Sequence, residues 1–146
     1  MRCSVEPLRR DHEAAWRDLW AAYLEFYETS VSEDVYATTF DRLLSPEVPE
    51  MGAFVAEVDR APMGLVHFIF HRHCWRIEDV CYLQDLFVAP ESRGTGAGRA
   101  LIEAVYTEAD RRGCPSVYWL TQDFNATARQ LYDRVAGLTP FIKYAR

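Results

Sequence analysis

Residues 83–98 constrain this chain more than any other stretch. They read Leu-Gln-Asp-Leu-Phe-Val-Ala-Pro-Glu-Ser-Arg-Gly-Thr-Gly-Ala-Gly. An apolar, strand-like run enters a turn at Pro90, crosses a glycine-rich loop and gives way at once to a helical pattern over residues 99–112. Strand, glycine loop and helix N-terminus together make a phosphate cradle. Glycine lets the backbone approach an anion, and unpaired N–H groups plus the helix dipole favour negative charge there. Two common phosphate loops do not fit. A nucleotide-triphosphate loop needs Gly-Lys-Ser/Thr, and here Gly98 is followed by Arg99 and Ala100. A dinucleotide G-x-G-x-x-G begun at Gly94 needs glycine where Arg99 stands, and begun at Gly96 needs it where Leu101 stands.

The pattern that does fit is Arg93-Gly94-Thr95-Gly96-Ala97-Gly98, a Gln/Arg-x-x-Gly-x-Gly/Ala loop. Downstream, Ser116-Val-Tyr-Trp-Leu-Thr121 reads as a strand and Asn125-Ala-Thr-Ala-Arg-Gln-Leu-Tyr132 as a helix. In order and spacing this resembles the GNAT superfamily of acyl-CoA-dependent N-acetyltransferases, nearest in motif to its spermidine/spermine and thialysine acetyltransferase branch. The likeness spans residues 64–132, and the first sixty residues match only in pattern. It implies acetyl-CoA as co-substrate, with Arg93, Gly94, Thr95, Gly96, Ala97, Gly98 and Arg99 holding the pyrophosphate. It also implies that the backbone of Leu86, Phe87 and Val88 pairs with the pantetheine arm, that Asn125 approaches the same arm, and that Tyr132 faces the thioester sulfur. Helix periodicity alone reads Tyr132 as a core residue beside Leu131 and Val135. Its spacing from Asn125, downstream of the phosphate loop, favours the catalytic role of protonating the departing thiolate.

The 146 residues suit one N-acetyltransferase domain over residues 1–146. Nearly half are apolar and a quarter charged, a folded rather than disordered profile. No apolar run approaches the roughly 20 residues that cross a bilayer, and the first residues lack a signal-peptide core, so a cytoplasmic location without membrane contact is expected. The net charge of −6 argues against nucleic acid as a partner and is compatible with cationic amines. Cys3, Cys74, Cys81 and Cys114 show no C-x-x-C spacing. His67, His71 and His73 alternate along a strand without a completing ligand set, so no metal is expected.

Along the chain, a short strand at residues 2–7 precedes a helix capped by Asp11 and running to Tyr27, with Trp16, Leu19, Trp20, Tyr23 and Phe26 on one face. Ser32 is expected to cap a second helix with Val35, Phe40, Leu43 and Leu44 inward, ended by Pro46 and Pro49. Residues 53–58 and 64–71 suggest an antiparallel hairpin, residues 79–88 the central strand, and residues 141–144 a last strand. This order implies an α/β fold, a mixed and mostly antiparallel central sheet with helices on both faces. The family resemblance adds splayed central strands. Relatives usually close with two strands where this chain has room for one, which implies strand exchange or edge pairing in a homodimer.

Gln84 and Asp85 interrupt the apolar central run, where polar side chains need partners. In polyamine-type relatives the position of Gln84 is often a glutamate that contacts the amine. Glutamine cannot act as a base, so either a water chain, Asp85 or another carboxylate removes the amine's proton. Gln84 and Asp85 are candidate acceptor contacts, as are Phe26 and Tyr27 near the end of the first helix, where aromatic faces attract cations. The expected reaction is direct transfer of acetyl from acetyl-CoA to a small-molecule primary amine such as a polyamine, amino acid or amine antibiotic. A protein lysine or N-terminal acceptor, or a non-catalytic acyl-CoA-binding module, remains the alternative.

Overall fold

A computed structural model describes residues 2–146. Five strands form one sheet in the order β1 (Cys3–Pro7), β2 (Met51–Val58), β3 (Ala61–His71), β4 (Val80–Val88) and β5 (Val117–Tyr118). The first four pair antiparallel and β5 joins β4 in parallel. Helices α1 (Glu13–Phe26) and α2 (Glu33–Leu44) lie against one face. The other face carries α3 (Ala97–Arg111), with α4 (Ala126–Val135) packing beside it through Leu131, Tyr132 and Val135. The expected α/β architecture is therefore the one observed.

Helices α1, α2 and α3 bury most of the stripe that their periodicity marks, although Phe26 at the end of α1 is exposed and Leu24 is buried instead. From α1, Trp16, Leu19, Trp20 and Leu24 meet Phe40 and Leu43 of α2 over Val55, Leu65 and Phe87 of the sheet. From α3, Ala97, Leu101, Ile102, Val105 and Ala109 are fully enclosed over Val66, Phe68, Cys81 and Leu83. Having helices on both faces explains why β3 and β4 read as near-continuous apolar runs.

The pairing of β3 with β4 shifts register between His67 and Phe68, where His67 opposes Asp85 but Phe68 opposes Leu83. Gln84 is the extra residue of a β-bulge. The bulge reverses the inside-outside parity of the strand. Cys81 and Leu83 pack towards α3 before it, as do Leu86 and Val88 after it. Asp85 and Phe87 are thereby turned towards α1.

Several local expectations are corrected. Asp11 does not cap α1; a 3-10 turn (Arg10–His12) precedes the helix, and Asp11 pairs with Arg9 instead. In α2, Val35 is exposed and Tyr36 takes the inward position, because the helix rotates to set Tyr36 edge-on to Trp20. Residues 141–144 form no strand: β5 is only two residues long, and the chain from 136 onward meets no sheet edge and lies exposed. Pairing of β4 with β5 covers Cys81 and Tyr82 alone.

The β2–β3 turn places Asp59 at φ 51° and Arg60 at φ 70°, the left-handed region at both central positions of a two-residue hairpin loop. Glycine fits the second of these positions without the steric cost that arginine bears. Arg60 is exposed. The variant Arg60→Gly is expected to be more stable by about 0.5–1 kcal/mol, read as a higher urea midpoint at unchanged slope.

Candidate active site

The glycine loop has the backbone that its sequence foretold. Gly94 and Gly96 stand at φ 80° and 87°, with no atom within 4 Å of where a Cβ would lie, so conformation rather than room demands glycine. Gly96 is the N-cap of α3 and no side chain caps the helix, which leaves the first-turn N–H groups of Ala97, Gly98 and Arg99 pointing into the loop. A Cβ added at Gly98 would meet Leu131 at 3.4 Å and Val88 at 3.8 Å, so the helix start lies close to both α4 and β4. Arg93 is exposed and its Nε donates to the Val88 carbonyl at 3.2 Å, with its guanidinium over the Phe87 ring at 5.8 Å. Thr95 turns inward to donate to the Ser92 carbonyl. Arg99 pairs with Glu103 at 2.9 Å, which offsets part of its charge.

Beyond Tyr82, β4 and β5 part. From Leu83 to Val88 the edge of β4 facing away from β3 has no strand partner among the described residues. Leu86, Phe87 and Val88 lie on this open edge. Downstream of β5, Asn125 is the N-cap of α4 and makes no side-chain hydrogen bond, and Thr121 Oγ1 is buried without a hydrogen-bond partner, among the described residues. A strand edge, an orphaned hydroxyl, a free amide and an uncapped helix N-terminus fit an extended ligand that ends in pyrophosphate and carries amides along its arm.

Tyr132 stands on α4 beside this opening, edge-on to Trp119 at 5.4 Å between ring centroids. Burial, with a smaller contribution from nearby Tyr27, pushes its phenol up to about 12. The group is a proton donor throughout the neutral range.

On the α1 side lies a buried carboxylate. Asp85 Oδ2 is 2.8 Å from His67 Nδ1, and His67 Nε2 receives the indole N–H of Trp16, also at 2.8 Å. Tyr23, Tyr27 and Tyr82 surround the same carboxylate. Their phenols are all pushed up, first by burial and then by the charge of Asp85. Tyr23 meets Tyr27 edge-to-face at 5.1 Å. Tyr27 lies within electrostatic reach of both Asp85 and Tyr132.

Of the residues singled out from sequence, the structure brings together Asp85, Tyr27 and Tyr132, with the loop and the β4 edge alongside. Phe26 stands at the rim, 54% exposed and edge-on to Tyr27. Gln84 is exposed in the bulge and makes no side-chain hydrogen bond among the described residues. Its sharpest effect is backbone geometry, since it reorients Asp85. Sequence reasoning missed His67, Tyr23 and Tyr82 as neighbours of Asp85. Their one signal was a histidine in an otherwise apolar run, facing a run that also held an aspartate. Of the other histidines, His71 bonds Tyr118 at 2.7 Å and His73 accepts the Trp75 N–H.

Glu6, His12 and Glu57 bring ligand-type atoms within 4.8 Å of one another at the other edge of the sheet. Glu6 and His12 already lie against charged neighbours, whereas the Glu57 carboxyl is pushed up chiefly by its contact with that of Glu6. His12 Nδ1 accepts the Arg9 N–H, so its proton sits on Nε2 and points at Glu6, which also pairs with the Arg9 guanidinium at 2.7 Å. Among the described residues no helix is long and apolar enough to cross a membrane.

The family model of the GNAT acetyltransferases matches residues 13–138. The likeness thus reaches well before residue 64, where sequence motifs alone had placed its start. D-amino-acid N-acetyltransferase HPA3 of Saccharomyces cerevisiae is 38% identical over 146 residues, covering 99% of this chain and 91% of that one. Thialysine N-epsilon-acetyltransferase of Bos taurus is 32% identical over 94 residues, 59% of this chain and 55% of that enzyme. Among solved structures, AAC(6')-Iy in complex with a bisubstrate analog superposes with a TM-score of 0.86 at 18% identity, covering 100% of this chain and 98% of that one. Ribosomal-protein-alanine N-acetyltransferase from Brucella melitensis does so at 0.78 and 20%, covering 99% and 98%. Small-molecule and protein acetyltransferases thus share this fold, and the fold alone does not choose between acceptors. A motif-bearing loop, an opened strand edge and a family match over most of the chain agree: this protein belongs to the GNAT acetyltransferase family and is an acetyl-transferring enzyme that uses acetyl-CoA.

Proposed function

We propose that the enzyme moves acetyl from acetyl-CoA to the primary amine of a small molecule by direct transfer, with both substrates bound at once. The observation that carries this reading is the Asp85 carboxylate, buried on the α1 side of the same opening that Tyr132 borders, with Tyr23, Tyr27 and Tyr82 around it. A carboxylate with aromatic neighbours attracts an ammonium group, and its burial favours a small acceptor over a chain lying in a groove. One relative, covered over 91% of its length, is named for D-amino acids and another for thialysine, both small amines, which supports the same acceptor class.

Acetyl-CoA, when bound, supplies the activated thioester. The roles that follow belong to the chain. Loop residues Arg93, Gly94, Thr95, Gly96, Ala97, Gly98 and Arg99 hold the pyrophosphate through N–H groups and two guanidinium groups. The open edge at Leu86, Phe87 and Val88, with the Asn125 amide, aligns the pantetheine arm. Asp85 takes the incoming ammonium and accepts a proton from it, Tyr27 and Phe26 wall the acceptor, and Gln84 shapes the strand. Tyr132 gives its proton to the sulfur as charge develops there.

Free-thiol release across D- and L-amino acids, polyamines, aminoglycosides and a lysine peptide tests the acceptor class. Turnover with a small amine is expected. Turnover with the peptide alone would contradict the reading. Tyr132→Phe is expected to lower kcat about 10²-fold with little change in acetyl-CoA affinity. Because the phenol lies at about 12, wild-type kcat is expected to show no loss from Tyr132 ionisation near pH 10, where an ordinary tyrosine ionises.

The same reading includes a homodimer. Leu138, Phe141, Ile142 and Tyr144 are each at least 77% exposed, and the outer edge of β5 carries no strand among the described residues. Exposed apolar chain beside an unpaired edge favours pairing with a second copy. Light scattering is expected to give a dimer for the full chain and a monomer for a variant ending at residue 136. A monomeric full chain would overturn this.

A further inference from the structure

Trp16, His67 and Asp85 form a hydrogen-bonded line that is almost wholly enclosed, with 1%, 4% and 8% exposure. Its chemistry is decided by its first member. An indole N–H can only donate, so His67 Nε2, at 2.8 Å from Trp16 Nε1, must present a lone pair. A neutral imidazole then carries its single proton on Nδ1, which donates to Asp85 Oδ2 at 2.8 Å. Protonating Nε2 would set two N–H groups against each other in a buried space. The rings of Trp16 and Trp20, with centroids 5.9 and 5.5 Å from that of the imidazole, leave His67 no room to turn away.

We propose that His67, locked by Trp16 as the Nδ1–H tautomer, is a positioning residue that aims Asp85 at the acceptor amine and is itself barred from taking the amine's proton. This rests on the reading of Asp85 as the ammonium contact. Of the four lone-pair directions of that carboxylate, His67 uses one, which leaves acceptor capacity for an N–H of the substrate. The bulge at Gln84 makes the arrangement possible, because it turns Asp85 to the α1 face directly opposite His67. Without the Nδ1–H donor, the carboxylate would be buried with one partner fewer and free to rotate. The line also links α1, where the sequence reads only core packing, to the reacting end of the site. Trp16 therefore both fills the core and sets a tautomer, and a phenylalanine could do only the first.

The tautomer is read directly by nitrogen-15 NMR of the intact enzyme labelled in histidine. A protonated Nδ1 with a bare Nε2 is expected for His67 at neutral pH, and Trp16→Phe is expected to release a second tautomer. A protonated Nε2 in the wild type overturns the lock. In kinetics, His67→Leu is expected to reduce kcat/KM for the amine about tenfold or more, chiefly through the amine KM, with the acetyl-CoA KM within about twofold of wild type. His67→Gln, which offers a donor and an acceptor on one planar group, is expected to recover most of the loss. A merely structural role would raise both KM values together and would not be rescued. Equal impairment of the Leu and Gln variants, or a wild-type amine KM in His67→Leu, overturns the positioning role. Asp85→Asn separates the two levels of inference. An unchanged amine KM there sinks the ammonium reading itself, whereas a raised one with a silent His67→Leu sinks only the role of His67.

Discussion

The structure depends on a strand edge left open in the middle of the molecule. A β-sheet of this size would ordinarily continue its ladder, because buried peptide groups without partners are costly. Here β4 and β5 pair only through Cys81 and Tyr82 and then diverge, while β4 runs on to Val88. What holds the edge open is packing on both faces. Leu101, Ile102 and Val105 of α3 fix β4 from one side, and the cluster of Leu19, Leu24 and Phe87 fixes it from the other. The strand cannot bend back to close the gap without breaking one core or the other. The glycine loop and the N-cap of α4 lie at the margins of that gap, so the groups left unmatched among the described residues border one opening.

The second determinant is one inserted residue. Gln84 adds no base and makes no side-chain hydrogen bond among the described residues, yet the bulge it creates decides which face the following aspartate meets. Without it, Asp85 would follow the parity of Leu83 and face the apolar floor made by α3. With it, Asp85 meets His67 and the tyrosines of the α1 side. The first helix thereby contributes both half of the core and the shell around the carboxylate.

These two features also explain what was legible in the sequence. The glycine loop, α3, and the spacing from Asn125 to Tyr132 are local patterns, and each appears where residue spacing placed it. The helix faces were legible for the same reason, although Tyr36 displaced Val35 because contact with Trp20 outweighs simple periodicity. The Trp16–His67–Asp85 line was not legible. Its members are 51 and 18 residues apart, and the bulge that aligns them changes parity without any glycine or proline to announce it. The final strand failed for a different reason. Residues 141–144 have strand-forming composition, but a strand exists only where it docks on an edge, and these residues pair with none although the outer edge of β5 stands unpaired among the described residues.

The central claim is that the open edge of β4 is where acetyl-CoA lies. Amide hydrogen exchange measured residue by residue, with and without coenzyme A, tests it most directly. The account predicts new protection along β4 between Leu83 and Val88 together with the loop from Arg93 to Arg99, while the β1–β2 pairing stays unchanged. Protection confined to other strands, or tight binding that leaves the β4 amides exchanging as before, would contradict it.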